Sequence, residues 1–248
     1  MISIASWNVL HRVHAENWDE DVVRHWPDEP ERIAAATALL AGRAEQVIAL
    51  QEVSGDQLAA LRHASPAIGR TVHAFQYPRV PTPRHGGECP LRDRTEHLVL
   101  LVDGPSRLLG AEAFEEDPGK GALSVEVAGT LVIATHVSSD RRREKQLARL
   151  AELASAAAPG QAVVVLGDFN TDHTTVTAAL GPGFAAAKLP SDSLPTRPAG
   201  TGSSPSWIDH IVVRGAEAGE AAVEPTGRLS DHNLVHATIG ADMNVRQL

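Results

Sequence analysis

The chain has 248 residues, of which 43% are hydrophobic and only 4% aromatic, and it carries a formal net charge of -9. That hydrophobic content excludes a chain disordered throughout, and the size suits one α/β domain, 1–248, built around a single large core. The negative charge excludes a protein that holds nucleic acid mainly by bulk electrostatics, which needs a basic surface, but not a nuclease whose clustered carboxylates bind cations.

No apolar run approaches the roughly 20 residues needed to span a bilayer. The chain opens with the strand-like Met1-Ile2-Ser3-Ile4-Ala5 and not with a charged, then apolar, export signal, so no membrane association and a cytoplasmic location are expected. The lone Cys89 cannot form an internal disulfide, in keeping with a reducing compartment.

In chain order, Ile2 to Val9 is the first apolar run and predicts a buried strand. Pro30 precedes a helical pattern over Glu31 to Ala41. A second strand, Val47 to Val53, leads to a shorter helix over Asp56 to His63. Residues 76 to 97 carry Pro78, Pro81, Pro83, Gly86, Gly87 and Pro90 and read as a long loop, followed by a strand over Leu98 to Val102. Gly119 to Gly129 suggests strand following strand through glycine turns. Then come a strand over Leu131 to Val137, a helix over Arg141 to Ala156 with Ser139 and Asp140 as capping candidates, and a strand over Ala162 to Leu166. A second Pro, Gly and Ser-rich loop, 181 to 206, precedes strands over Ile208 to Val213 and Leu234 to Ile239. This alternation predicts a layered α/β protein with mixed sheets.

Polar residues interrupt these runs at telling places. Asn8, Glu52, His136, and Asp168 with Asn170 stand at the C-terminal ends of strands, whereas Asp209 starts one and Asp231-His232 precedes the last. If the last two strands run antiparallel to the others, all of these groups converge at one end of the sheets. In Gly167-Asp168-Phe169-Asn170 the period of two puts a carboxylate and an amide on one side, and Gly167 permits close backbone approach.

Hard oxygen donors of this kind suit Mg2+ or Mn2+. Phosphoester cleavage needs an activated water, neutralised phosphate oxygens and a stabilised leaving oxygen. Glu52 and Asp231 can hold metal, Asp168 can orient or deprotonate water, and Asn8 and Asn170 can hydrogen-bond phosphate. The two histidines can donate or carry protons, with Asp209 fixing the tautomer of His232. Singly, each residue has an ordinary structural reading: Asn8 as a turn residue, His136 as a core histidine, Asp231 as a helix cap. Joint placement is what favours chemistry.

The ordered words Ser6-Trp7-Asn8-Val9-Leu10, Leu50-Gln51-Glu52-Val53, Thr135-His136-Val137, Gly167-Asp168-Phe169-Asn170, Ile208-Asp209-His210-Ile211 and Ser230-Asp231-His232 resemble the endonuclease/exonuclease/phosphatase superfamily and span nearly the whole chain. Arg143 and Gln146 also resemble a recurrent feature of these proteins. The resemblance implies a four-layer αββα sandwich with two mixed β-sheets, and a magnesium-dependent phosphoesterase. It implies Glu52 as principal metal ligand with Asn8 and Asp231 beside it, Asp168 and Asn170 as the pair that positions water and contacts phosphate, and Asp209 with His232 as a carboxylate-histidine dyad. His136 resembles the histidine that donates to phosphate or leaving group in the deoxyribonuclease and sphingomyelinase branches. The wording Asn-Val-Leu with Leu-Gln-Glu-Val is nearest the deadenylase and tyrosyl-DNA phosphodiesterase side, although Glu96 to Val102 departs from the Gly-x-Ala-Ile-Leu-Ser-Arg wording usual there.

Arg84, Arg92 and Arg94 in the 76 to 97 loop, with Arg79, His85 and His97, are candidate substrate contacts, because arginine binds phosphate bidentately. The alternative is a solvated loop whose arginines face water, Glu88 or Asp93. The expected substrate is a nucleic-acid end, short oligonucleotide or nucleotide, with no obligate protein partner. The alternatives are a small-molecule phosphatase acting on a phosphorylated metabolite and a non-catalytic binding module on the same fold.

Overall fold

A computed structural model describes residues 1–84, 89–200 and 204–241. The chain begins with β1 (Ile2–Asn8), α1 (Arg12–Asn17), α2 (Asp21–His25), α3 (Glu29–Ala41), β2 (Val47–Ser54) and α4 (Gly55–Ala64). A 3-10 turn, Ser65–Ile68, leads to β3 (Arg70–Gln76), β4 (Glu96–Asp103), β5 (Ser106–Phe114), β6 (Asp117–Val127) and β7 (Thr130–His136). The remainder is α5 (Arg143–Ser155), β8 (Val163–Asp168), α6 (His173–Leu180), β9 (Ala185–Ala186), β10 (Asp209–Arg214), β11 (Ala216–Glu224) and β12 (Leu234–Ala241).

The strands form two six-stranded mixed sheets, ordered β11-β12-β1-β2-β4-β3 and β5-β6-β7-β8-β10-β9. Alternation decides the layering. Alternate residues of both sheets, among them Ile4, Val47, Leu98 and Leu100 from the first and Leu123, Val132, Val164 and Leu166 from the second, fill one core between the sheets. The opposite face of the first sheet presents Trp7, Ile48 and Leu50 to Ala36 and Leu40 of α3 and Leu58 and Leu61 of α4. The opposite face of the second presents Ile133 and Val165 to Leu147 and Leu150 of α5 and Val176 of α6. Helix, sheet, sheet, helix is the αββα sandwich.

Each of the apolar runs is a strand, because a segment buried on both faces carries little polar interruption. β10 runs antiparallel to β8, and β12 antiparallel to β1, so the strand directions meet the condition for convergence at one end. The glycine reading over 119 to 129 is corrected. Gly119 and Gly121 lie inside β6; Gly121 pairs with His136 of β7, and a Cβ there would run into the Glu112 carbonyl oxygen of β5. The turn into β7 is made by Ala128 and Gly129, at φ 49° and 77°. The helix over Arg141 to Ala156 starts later, at Arg143; Asp140 still accepts the Arg142 amide at 3.0 Å. The edge strands β5 and β11 carry no clean apolar alternation, since solvent on an outer edge removes the pattern that marks a strand.

Candidate active site

Two sheet ends meet at the site. In the first sheet β1 and β2 run parallel, which sets Asn8 opposite Gln51 and brings Glu52 alongside. The pairing of β2 with β4 slips between Leu50 and Val53, and within this irregularity Glu52 takes the left-handed φ of 59°. A non-glycine residue in that conformation is strained, and here the strain turns the carboxylate out of the ladder towards Asn8. Asn8 Nδ2 donates to Glu52 Oε1 at 3.2 Å and to Asp168 Oδ2 at 3.1 Å, while its Oδ1 accepts the Leu10 amide at 3.0 Å. The other Glu52 oxygen accepts the His11 amide at 3.1 Å.

In the second sheet register does the same work. His136 pairs with Asp168 across the parallel β7 and β8, and Asp168 pairs with Asp209 across the antiparallel β8 and β10. Three adjacent strands therefore deliver three chemical groups in one row. His136 Nε2 lies 3.4 Å from Asp168 Oδ2 and 3.8 Å from Glu52 Oε1, which links the two sheets. Gly167 precedes Asp168 at φ 149°, where a Cβ would fall on the Thr135 carbonyl oxygen. Asn170, at φ 51°, donates its amide N–H to Asp168 Oδ1 at 2.9 Å and its side-chain N–H to the Val137 carbonyl at 2.9 Å. Arg143 of α5 holds the Asn170 carbonyl at 2.8 Å, and Gln146 accepts the Ser138 amide at 2.7 Å.

The segment before β12 supplies the last groups. Ser230 Oγ donates to the Asn8 carbonyl at 2.6 Å and accepts the His232 amide at 3.1 Å, while Trp7 Nε1 donates to the His232 carbonyl at 3.1 Å. His232 Nδ1 then meets Asp209 Oδ2 at 2.8 Å, and its Nε2 faces Asp168 Oδ2 at 3.9 Å and Asp231 Oδ2 at 4.0 Å.

The ionisable groups of this cleft set one another's charge through their mutual proximity. Burial opposes ionisation of Glu52, but His14, His136 and Lys120 outweigh it and hold its pKa below the usual carboxylate range. Asp168 is held low in the same way, by a hydrogen bond from His136 and by His232. Burial also works against a charged His232, yet Asp209 and Asp231 raise its pKa to about 10, so it stays protonated at neutral pH.

The structure thus brings Asn8, Glu52, His136, Asp168, Asn170, Asp209, Asp231 and His232 together. One ligand atom each from Asp168, Asp209 and His232 lies within 4.8 Å of the others. A protonated imidazole already bonded to Asp209 is a poor ligand, so the better fit for a hard cation is the oxygen side of the cleft, at Glu52 with Asn8 and Asp231.

Sequence reasoning missed three further groups. Lys120, inside Gly119-Lys120-Gly121, bonds to His136 through Nζ and lowers the pKa of both Glu52 and Asp168. The flanking glycines in a strand, where β5 presses close, were the available signal. His14 Nε2 meets the buried Glu96 Oε2 at 3.0 Å, a second carboxylate-histidine pair on the cleft wall. Arg197, in a loop without periodicity, lies 2.9 Å from Asp231. Of the loop arginines, Arg84 places its guanidinium 3.9 Å over the Trp18 ring, and Arg92 and Arg94 are exposed; among the described residues none of the three forms an ion pair with the site carboxylates.

The family model for the endonuclease/exonuclease/phosphatase family matches residues 5–232, and the chain belongs to that family of phosphoesterase hydrolases. No match was found among curated proteins. A functionally unknown conserved protein from Enterococcus faecalis V583 superposes with a TM-score of 0.69 at 17% identity, over 97% of this chain and 100% of that one. TDP2 from D. rerio complexed with single strand DNA product gives 0.67 at 17% identity, over 97% of this chain and 99% of that one. ANGEL2, a 2',3'-cyclic phosphatase in complex with adenosine-2',3'-vanadate, gives 0.70 at 14% identity over 96% of this chain and 95% of that one. At these identities the likeness is one of fold.

Proposed function

We propose that this chain is a Mg2+-dependent phosphodiesterase acting on nucleic-acid ends or short oligonucleotides. The observation that carries the reading is the surrounding of Asp168 Oδ2, with Asn8 Nδ2 at 3.1 Å, His136 Nε2 at 3.4 Å and His232 Nε2 at 3.9 Å, while Asp209 orients His232 from behind. Asp168 accepts a hydrogen bond from the attacking water and aims its lone pair. Protonated His232 donates to a phosphate oxygen, and Asp209 stabilises the charge it carries. Asn170 adds a second hydrogen-bonding group beside Asp168. Lys120 places positive charge, and His136 a hydrogen-bonding imidazole, where the departing oxygen gains negative charge. Glu52 with Asp231 and Asn8 would hold the magnesium, which supplies neutralisation of the phosphate oxygens. Water adds to phosphorus, the ester oxygen leaves with a proton, and a monoester and an alcohol result.

Two features of the neighbours support a nucleotide-bearing substrate: TDP2 was captured with single strand DNA product and ANGEL2 with an adenosine vanadate. Hydrolysis of bis(4-nitrophenyl) phosphate with magnesium, lost in Asp168→Ala, tests the chemistry. A labelled oligonucleotide compared with a mononucleotide panel tests the substrate. Release of inorganic phosphate from mononucleotides with the oligonucleotide left intact overturns the nuclease reading in favour of a phosphatase. No metal-dependent turnover of any phosphoester favours a binding module.

A further inference from the structure

Arg197 is an arginine that the fold delivers to the cleft beside Asp231, and nothing in the chemistry proposed above uses it. One nitrogen, Nη2, lies 3.0 Å from Glu20 Oε1 and 2.9 Å from Asp231 Oδ2. Among the described residues Nε and Nη1 make no hydrogen bond, so most of the planar donor fork is uncommitted. The side chain is 31% exposed and therefore open to a ligand.

Its position is rigid. Arg197 exchanges both backbone hydrogen bonds with Ser206, each at 2.9 Å. Its neighbour Thr196 is fully buried and its Oγ1 accepts the Ile208 and Asp209 amides at 2.9 and 3.1 Å, while the Thr196 carbonyl accepts the Asn233 amide at 2.7 Å. The clasp that seats Asp209 and the residue after His232 thus also seats Arg197. Asp231 Oδ2 stands 4.0 Å from His232 Nε2 and 2.9 Å from Arg197 Nη2, so the guanidinium lies one carboxylate's width outside the reacting centre. Its field still reaches Asp168 and Glu52.

We propose that Arg197 is a specificity-determining residue that binds a second phosphate of the substrate, the one adjacent to the phosphate being cleaved. A planar fork with free donors, preorganised and one group removed from the centre, matches a neighbouring phosphodiester better than the scissile one. Asp231 and Glu20 keep the guanidinium aimed while no phosphate is present. The assignment rests on the phosphodiesterase reading and narrows it to substrates with at least two successive phosphates.

The experiment uses the full chain and a 5'-phosphorylated, fluorescein-labelled tetranucleotide. Binding is followed by anisotropy in EDTA across a salt series, and turnover is measured with magnesium. Arg197→Ala is expected to weaken binding about tenfold and to reduce the slope of log binding constant against log salt by about 0.7, the signature of one lost phosphate contact on a single strand. The ratio of kcat/KM on the tetranucleotide to that on bis(4-nitrophenyl) phosphate, which has a single phosphate, should fall about tenfold, with KM carrying the change. Arg197→Lys keeps the charge but not the fork and should recover the salt slope with only part of the affinity. Arg197→Gln is read in the same way if the alanine variant does not fold.

An unchanged salt slope, or equal fractional losses on both substrates, overturns the assignment and leaves Arg197 as a support for Asp231. A wild-type chain that does not bind the tetranucleotide overturns it as well. If the wild type binds with an Arg197-dependent slope but hydrolyses neither ester, the phosphodiesterase reading fails and the phosphate contact stands.

Discussion

Asp209 Oδ2 lies 2.8 Å from His232 Nδ1, joining the first residue of β10 to a residue just before β12, and the two side chains are 0% and 4% exposed. A buried carboxylate bonded to one imidazole nitrogen fixes which nitrogen faces the substrate. Asp209→Asn is expected to keep the shape, remove the negative charge that holds the ring protonated and oriented, and lower kcat on bis(4-nitrophenyl) phosphate by about 10²- to 10⁴-fold with little change in KM. Loss in KM alone would contradict an orienting role.

The same pair predicts a stability profile in chelator. The His232 pKa is raised to about 10 in the folded chain, whereas an unfolded histidine titrates near 6.5. Its contribution is therefore fully present below about pH 6.5 and is lost as pH rises towards about 10. The Tm advantage of the wild type over His232→Gln in EDTA should shrink steadily between pH 6.5 and 10. A constant advantage would mean that His232 is not held protonated.

Metal binding should appear in unfolding as well as in turnover. Magnesium at about 100 times its Kd adds about 2.7 kcal/mol, a rise of about 5–10 °C for a chain of this size. Glu52→Gln should abolish most of that rise, measured by calorimetry, while the chelated protein still unfolds cooperatively.

Arg32 supports the site from the helix layer. It is buried, forms a two-pronged pair with Glu29, and donates to the carbonyls of Val9, Leu10 and Leu229 at 2.9, 2.8 and 2.7 Å. Those carbonyls flank Asn8 and the Ser230 to His232 segment. Arg32→Ala leaves the buried Glu29 with only the longer Arg12 contact at 3.6 Å and removes the donor to three carbonyls, and should cost about 3–5 kcal/mol in urea unfolding.

Gly167→Ala tests the close approach of β7 and β8. The added Cβ would fall on the Thr135 carbonyl oxygen at a φ that disfavours any side chain. The expected cost is about 3–5 kcal/mol, together with loss of activity, because the strand that carries Asp168 must move.

Much of this protein was legible in the residues because buried strands and strand-end polar groups are local signals. Ile2 to Val9 and Ala162 to Leu166 announce strands by apolar content, and the polar residues ending or preceding such runs mark one edge of the sheets. Edge strands such as β11, Ala216-Glu217-Ala218-Gly219-Glu220, carry no comparable mark, since water on their outer side permits any polar residue.

What the chain order by itself determined was which groups stand at strand ends and therefore which chemistry is available. Tertiary structure decided how they meet. The slip beside Glu52 turns its carboxylate inward, the row His136, Asp168, Asp209 depends on strand order β7-β8-β10, and Lys120 and Arg197 arrive from a strand and a loop with no sequence proximity to their partners. The physical reason is that distances between side chains far apart in sequence are set by sheet register and packing, which no local pattern encodes.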